Sequence, residues 1–240
     1  MKYTEKYEVM AHDAEPKGIM RFGGYLKYMQ ETANHQLRDQ SQSYYDLFNK
    51  GYAFVLSRIK MQVFEPLSRY DKFDSISWYC PSKGVMFQRC YEIRKEGRVC
   101  AQANSVWALV GINDGKIMKV EDYDTLDNTA EEAFAPVSDL RFRIPKDTEF
   151  KFAGEKTVMY SEVDVNMHMN NRFYPDVICD FIPDIQNVTV TEMSISYVSE
   201  AHLGCTLKVY RSDVCSDGYM YIKTMNGDKV NVEARVKAEF

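Results

Sequence analysis

The chain has 240 residues, 45% hydrophobic and 13% aromatic, with a formal net charge of −5. This composition describes an ordered globular protein, and the acidic balance excludes a nucleic-acid binder that works through a basic face. No apolar run is long enough for a membrane span, and residues 1–13 carry no hydrophobic leader. The six cysteines (Cys80, Cys90, Cys100, Cys179, Cys205, Cys215) show no C-x-x-C pairing, so the expectation is a cytoplasmic protein with reduced thiols and neither metal nor cofactor.

Residues 3–10 alternate as a first strand. From Phe22, apolar residues recur at Tyr25, Leu26, Met29 and Ala33, the spacing of an amphipathic helix, and Gly23 and Gly24 either weaken its first turn or let it pack closely. Strand-like runs follow at 53–64, 73–80, 85–93 and 99–110. They are separated by Glu65-Pro66, Pro81-Ser82-Lys83-Gly84, Glu96-Gly97 and Asn113-Asp114-Gly115. Residues 121–139 hold seven acids (Glu121, Asp122, Asp124, Asp127, Glu131, Glu132, Asp139), no Lys or Arg, and Pro136. They read as a linker or a surface-hugging connection.

The pattern then restarts. Residues 156–160 read as a strand, and Tyr174, Val177, Ile178 and Phe181 repeat the helical spacing. Strands are expected at 188–198, 206–212 and 219–224, and at 230–240 after the Asn226-Gly227 turn. Val9, Tyr25 and Met29 match Val158, Tyr174 and Ile178 at an offset of 149, while Met61 and Pro66 match Ile195 and Glu200 at an offset of 134. Two copies of one unit are therefore expected: residues 1–120, a connection over 121–150, and residues 151–240.

One stretch carries dense polar chemistry: Asp164, Asn166, His168, Asn170 and Asn171, between a strand and a helix. At the same offsets the first copy has Glu15, Lys17 and Ile19, and Pro66 stands opposite Glu200, so only one copy holds acid, amide and imidazole together. Each residue also has an ordinary reading. Asp164 and Asn166 suit a turn, one of Asn170 and Asn171 suits a helix cap, Pro175 suits a helix start, and Glu200 suits a strand end. Nothing near His12, His35 or His202 in the sequence gives them a role. Together, the residues of the stretch fit ester or thioester hydrolysis, with a carboxylate to activate water and imidazole, amide and helix N-terminal donors for the oxyanion. No G-x-S-x-G, P-loop or dinucleotide fingerprint competes.

The D-x-N-x-H-x-N-N string of Asp164–Asn171, followed by Glu200 after Ile195-Ser196-Tyr197-Val198-Ser199, resembles the acyl–acyl carrier protein thioesterases. Softer matches are Met29-Gln30-Glu31-Thr32-Ala33 and Ser57-Arg58. The resemblance implies an α+β tandem double hotdog, each half a long helix wrapped by an antiparallel sheet. It also implies hydrolysis of fatty acyl–carrier protein in fatty acid biosynthesis. The C-terminal copy is expected to be catalytic, through Asp164, Asn166, His168 and Glu200. The N-terminal copy is expected to shape the acyl pocket, with Tyr25 and Met29 (beside Tyr28 and Thr32) contacting substrate along with Asn170 and Asn171. Plant members commonly have Cys after the glutamate. Here Ala201 stands there, so a cysteine nucleophile is excluded at that position.

The expected mechanism has Glu200 as base for water and Asn166, His168 and backbone amides of the following helix binding the oxyanion. Asp164 is the orienting group, and the roles of Glu200 and His168 are exchangeable. Rival readings are an acyl-CoA thioesterase, an acyl-binding hotdog without turnover, and an (R)-specific enoyl hydratase, whose D-x-N-P-x-H spacing differs here at Met167 and His168. An acidic carrier protein needs a basic patch, with candidates Lys83, Arg89, Arg94, Lys95 and Arg98, or Arg141, Arg143 and Lys146. A homodimer is compatible with the sequence.

Overall fold

The structure, a computed structural model, describes residues 1–40, 43–123, 130–135 and 137–239. Asp124, Asp127 and Pro136 of the acidic connection, and Phe240 of the last expected strand, lie outside the described residues. The first copy contains β1 (Tyr3–Glu8), α1 (Phe22–Gln40), α2 (Tyr44–Asn49), β2 (Tyr52–Val63), β3 (Lys72–Tyr79), β4 (Phe87–Lys95) and β5 (Arg98–Gly111). The second contains β6 (Lys151–Thr157), α3 (Tyr174–Asp180), β7 (Thr189–Tyr197), β8 (Thr206–Val214), β9 (Met220–Asn226) and β10 (Lys229–Glu239).

All ten strands join one antiparallel sheet in the order β1-β3-β4-β5-β2-β7-β10-β9-β8-β6. The second five repeat the first five in reverse, and the copies meet where β2 pairs with β7. Lys60 stands opposite Ser194 in that pair, its own equivalent at the offset of 134, so the sheet has a local two-fold through this point. Ile59 and Met61 face Ile195 and Met193, and all four are buried. With Tyr25, Leu26 and Met29 of α1 and Tyr174, Val177 and Ile178 of α3, they form one core shared by both copies. Burying each such aliphatic side chain stabilises the fold by roughly 1.5–3 kcal/mol.

The two helices differ more than the sequence suggests. α1 spans 19 residues and α3 only 7. Pro183 accounts for the early stop, because it disfavours helical backbone at Ile182, and the chain turns through left-handed Asp184. The paired glycines of α1 permit close approach. A Cβ on Gly23 would lie 2.5 Å from Asp176 Oδ2 and 2.6 Å from the Arg172 carbonyl oxygen, and the Gly23 N–H donates to Asp176 Oδ1 at 2.9 Å.

Other boundaries shift by a few residues. β6 begins at Lys151, since a register shift between Phe152 and Gly154 breaks the alternation the sequence would show. The last hairpin turns at Gly227-Asp228, with Asn226 paired to Lys229. Where described, the acidic connection hugs the sheet. Glu131 N–H donates to the Tyr79 carbonyl at 2.8 Å, Trp78 Nε1–H donates to the Glu132 carbonyl at 3.1 Å, and the Ala135 carbonyl accepts from Gln88 and Asn104.

Candidate active site

The polar stretch folds as a turn whose backbone is duplicated in the first copy. Asp164 N–H donates to the His168 carbonyl at 2.9 Å, as Glu15 N–H does to Ile19 at 2.8 Å. Met169 N–H donates to Ala201 at 2.8 Å, as Met20 N–H does to Leu67 at 2.7 Å. Leu203 N–H donates to Met167, as Arg69 N–H does to Gly18. The bridge pairs His168–His202 and Ile19–Ser68 correspond as well. The offsets of 149 and 134 thus describe real backbone equivalence. At the apex Gly18 has φ +78° and Met167 has φ +61°. A left-handed methionine carries strain of about 1–2 kcal/mol that glycine avoids, a feature that recurs at functional turns.

The side chains at equivalent positions diverge. In the first copy Lys17 pairs with Glu15 at 2.8 Å and its ammonium donates to the carbonyls of Ile185, at 3.3 Å, and Val188. The lysine therefore staples this turn to the chain leaving α3. In the second copy, Asp164 Oδ1 accepts the Asn166 backbone N–H at 2.8 Å, which fixes the turn. His168 Nε2 lies 3.3 Å from Glu200 Oε2, joining two groups 32 residues apart in sequence. The imidazole is a quarter exposed (25%) and Glu200 is open to solvent (57%). The His202 ring packs edge-to-face on His168, with centroids 4.4 Å apart.

Glu200 is held in place from behind by a buried residue of β10. The Asn231 carbonyl accepts the N–H groups of Val198 and Ser199, at 2.9 and 3.1 Å. Its side chain donates to the Ser199 carbonyl and to the Tyr174 hydroxyl, and accepts from Thr224. These bonds end β7 in a defined place, three residues before Glu200.

Two family models match the chain: the acyl-ACP thioesterase N-terminal domain over residues 1–126, and the acyl-ACP thioesterase C-terminal domain over residues 145–240. The chain belongs to the acyl-ACP thioesterase family. It is a thioester hydrolase that releases fatty acid from acyl-ACP.

Solved structures agree in fold. An acyl-ACP thioesterase from Bacteroides thetaiotaomicron VPI-5482 is 22% identical at TM-score 0.85, covering 99% of this chain and 98% of that one. A putative oleoyl thioesterase from Lactobacillus plantarum is 15% identical at TM-score 0.84, covering 100% and 96%. The 12:0-ACP thioesterase from Umbellularia californica is 14% identical at TM-score 0.80, covering 99% and 97%. At these identities the likeness shows the α+β hotdog fold. A search of curated proteins finds no match.

Within this acyl-ACP thioesterase, the structure brings Asp164, Asn166, His168 and Glu200 to one end of the second copy. Asn170 caps the 3-10 turn Asn171–Phe173 that leads into α3, its Oδ1 accepting the Arg172 N–H at 3.1 Å and its carbonyl accepting Phe173 N–H at 3.0 Å. Those two amides, expected as oxyanion donors, are therefore already engaged. The Asn171 carbonyl accepts from the Tyr197 hydroxyl at 3.3 Å. Tyr25 and Met29 are fully buried in the shared core. The Tyr25 hydroxyl accepts the Leu67 N–H at 3.0 Å, and Tyr25 lines a small cavity of about 20 Å³ beside Lys17, at the first copy's turn rather than the second's.

In the first basic cluster Lys83 is exposed, while the other four members are engaged within the fold. Arg89 is buried on Gln36 and Ser77, Arg94 pairs with Glu92, Lys95 with Asp71 at 2.7 Å, and Arg98 with Glu65 at 3.2 Å. Arg141, Arg143 and Lys146 are exposed and make no ion pair among the described residues.

Sequence reasoning missed Tyr44, whose hydroxyl donates to Asn166 Oδ1 at 3.3 Å from the other copy. Its helix was findable, because Ser43-x-x-Asp46 is a capping box and both reciprocal bonds form. The contact across 122 residues has no local signature. Asn231, on β10, was missed for the same reason.

Proposed function

We propose that hydrolysis takes place at Glu200, His168 and Asn166, in the C-terminal half (residues 151–240). The N-terminal half (residues 1–120), joined through residues 121–150, shapes the acyl pocket. The observation that carries this reading is the 3.3 Å approach of His168 Nε2 to Glu200 Oε2 on a turn whose first-copy equivalent holds only Ile19 and Pro66.

In the scheme His168 donates its Nε2–H to Glu200 and orients the carboxylate. Glu200 takes a proton from water, and the hydroxide so formed attacks the thioester carbonyl. The Asn166 carboxamide has its oxygen occupied by Tyr44, which leaves its N–H₂ free to meet the oxyanion. Asp164 holds Asn166 through the backbone. When the intermediate collapses, the C–S bond breaks and Glu200 returns its proton to the departing thiolate, so the enzyme ends as it began. Asn170 and Asn171 shape the turn beside the reacting carbonyl. Tyr25 and Met29 bound the acyl chain from the shared core. Free fatty acid is the product, consistent with a cytoplasmic role ending chain elongation in fatty acid biosynthesis.

A panel of saturated acyl-carrier protein and acyl-CoA thioesters, short to long, with an enoyl thioester as control, tests the reading. Release of free thiol is expected from the carrier substrates first. Preferential turnover of CoA esters would move the substrate assignment, and hydration of the enoyl chain would overturn it.

A further inference from the structure

Outside the hydrolytic scheme, one histidine of the site has no task. His202 pairs with His168 across a β-bridge and packs its ring edge-to-face against it. One nitrogen from each imidazole and one carboxylate oxygen of Glu200 all lie within 4.8 Å of one another. Two imidazoles and a carboxylate are the donor set of zinc-class ions, whereas magnesium and calcium favour oxygen-only sites. Tetrahedral zinc at ligand distances of about 2.0–2.2 Å needs donors roughly 3.3–3.5 Å apart. His168 and Glu200 already stand at 3.3 Å. The remaining closure falls to His202, which is exposed. The equivalent first-copy positions, Ile19, Pro66 and Ser68, offer no such set.

We propose that His168, Glu200 and His202 form a reversible site for a zinc-class divalent ion, and that its occupancy stops hydrolysis. Binding occupies the Glu200 lone pair that would take the proton from water, and turns the His168 ring nitrogen from a donor to Glu200 into a metal ligand. The inhibitory half of this proposal rests on the reading of Glu200 and His168 as the hydrolytic pair, while the binding half does not.

The test uses the whole enzyme freed of metal with a chelator. Cobalt absorption and zinc titration should give one ion per chain. His202→Ala should weaken that affinity at least tenfold while keeping turnover within about twofold of wild type. Zinc should inhibit the wild type reversibly by chelation, magnesium should not, and His202→Ala should resist zinc. Absence of stoichiometric binding, or binding undiminished in His202→Ala, overturns the site. Binding that is lost in His202→Ala yet leaves wild-type turnover untouched keeps the site and overturns the hydrolytic roles of Glu200 and His168.

Discussion

Replacing Tyr44 by phenylalanine removes one hydroxyl and leaves the ring, which stacks on Phe48 with centroids 6.1 Å apart and meets the edge of Tyr45 at 5.9 Å. Leu47 keeps α2 anchored in its own small cluster with Leu37 and Leu109, so the fold should be untouched. What is lost is the bond to Asn166 Oδ1. At 3.3 Å and exposed, it sits at the weak end of the range, about 0.5–1 kcal/mol, which corresponds to a two- to fivefold fall in kcat. KM should hold, because the carboxamide acts on the oxyanion rather than on bound substrate.

Removing the carboxamide altogether, in Asn166→Ala, should cost about 10²–10³ in kcat. In that background Tyr44→Phe has nothing left to orient, so a double-mutant cycle under saturating acyl-carrier substrate should recover the whole Tyr44 effect as coupling. An equal loss in both backgrounds, or a raised KM at unchanged kcat, would refute the positioning argument.

Gly23→Ala places a methyl 2.6 Å from the Arg172 carbonyl, which belongs to the backbone and cannot swing away. A loss of about 1–3 kcal/mol, or roughly 3–10 °C in Tm, is expected by calorimetry, and an unchanged Tm would contradict the close packing of α1 on α3. Asp13 is buried; burial pushes its carboxyl up, but hydrogen bonds from Lys27 and Tyr28 outweigh this and hold it below its usual 3.8. A depressed folded value means the stabilisation is present above pH 3.8 and lost as pH falls through the folded value. Urea unfolding should therefore show Asp13→Asn less stable by about 1–3 kcal/mol at pH 7, with the gap closing below pH 3.8; a gap that widens there would sink the assignment. Reversing Arg141, Arg143 and Lys146 to glutamate should raise KM for acyl-carrier substrate about threefold or more at low salt and leave acyl-CoA hydrolysis alone. Equal effects on both substrates would remove this patch as the docking surface.

The duplication was legible because both copies obey the same backbone constraints, so Val9 and Val158, or Tyr25 and Tyr174, occupy the same structural roles. The candidate site was legible because five polar residues at a strand–helix junction (Asp164, Asn166, His168, Asn170 and Asn171) have few purely structural uses. Partners drawn from other strands were not. Nothing near Lys95 or Arg98 in sequence announces that Asp71 and Glu65 pair with them, and Tyr44 reaches Asn166 only because β2 and β7 bring the copies together. The helix amides assigned to the oxyanion failed for a local reason. Asn170 suits a cap in sequence, and in the fold its side chain and carbonyl take up the Arg172 and Phe173 donors.

Single-turnover hydrolysis by Glu200→Gln tests the hydrolytic scheme most directly. The glutamine keeps the shape and a hydrogen-bonding oxygen for His168 but cannot take a proton from water. With saturating acyl-carrier substrate, the chemical step should slow by about 10²–10⁴ while substrate affinity stays within about twofold of wild type. A rate within a few-fold of wild type would contradict Glu200 as the base.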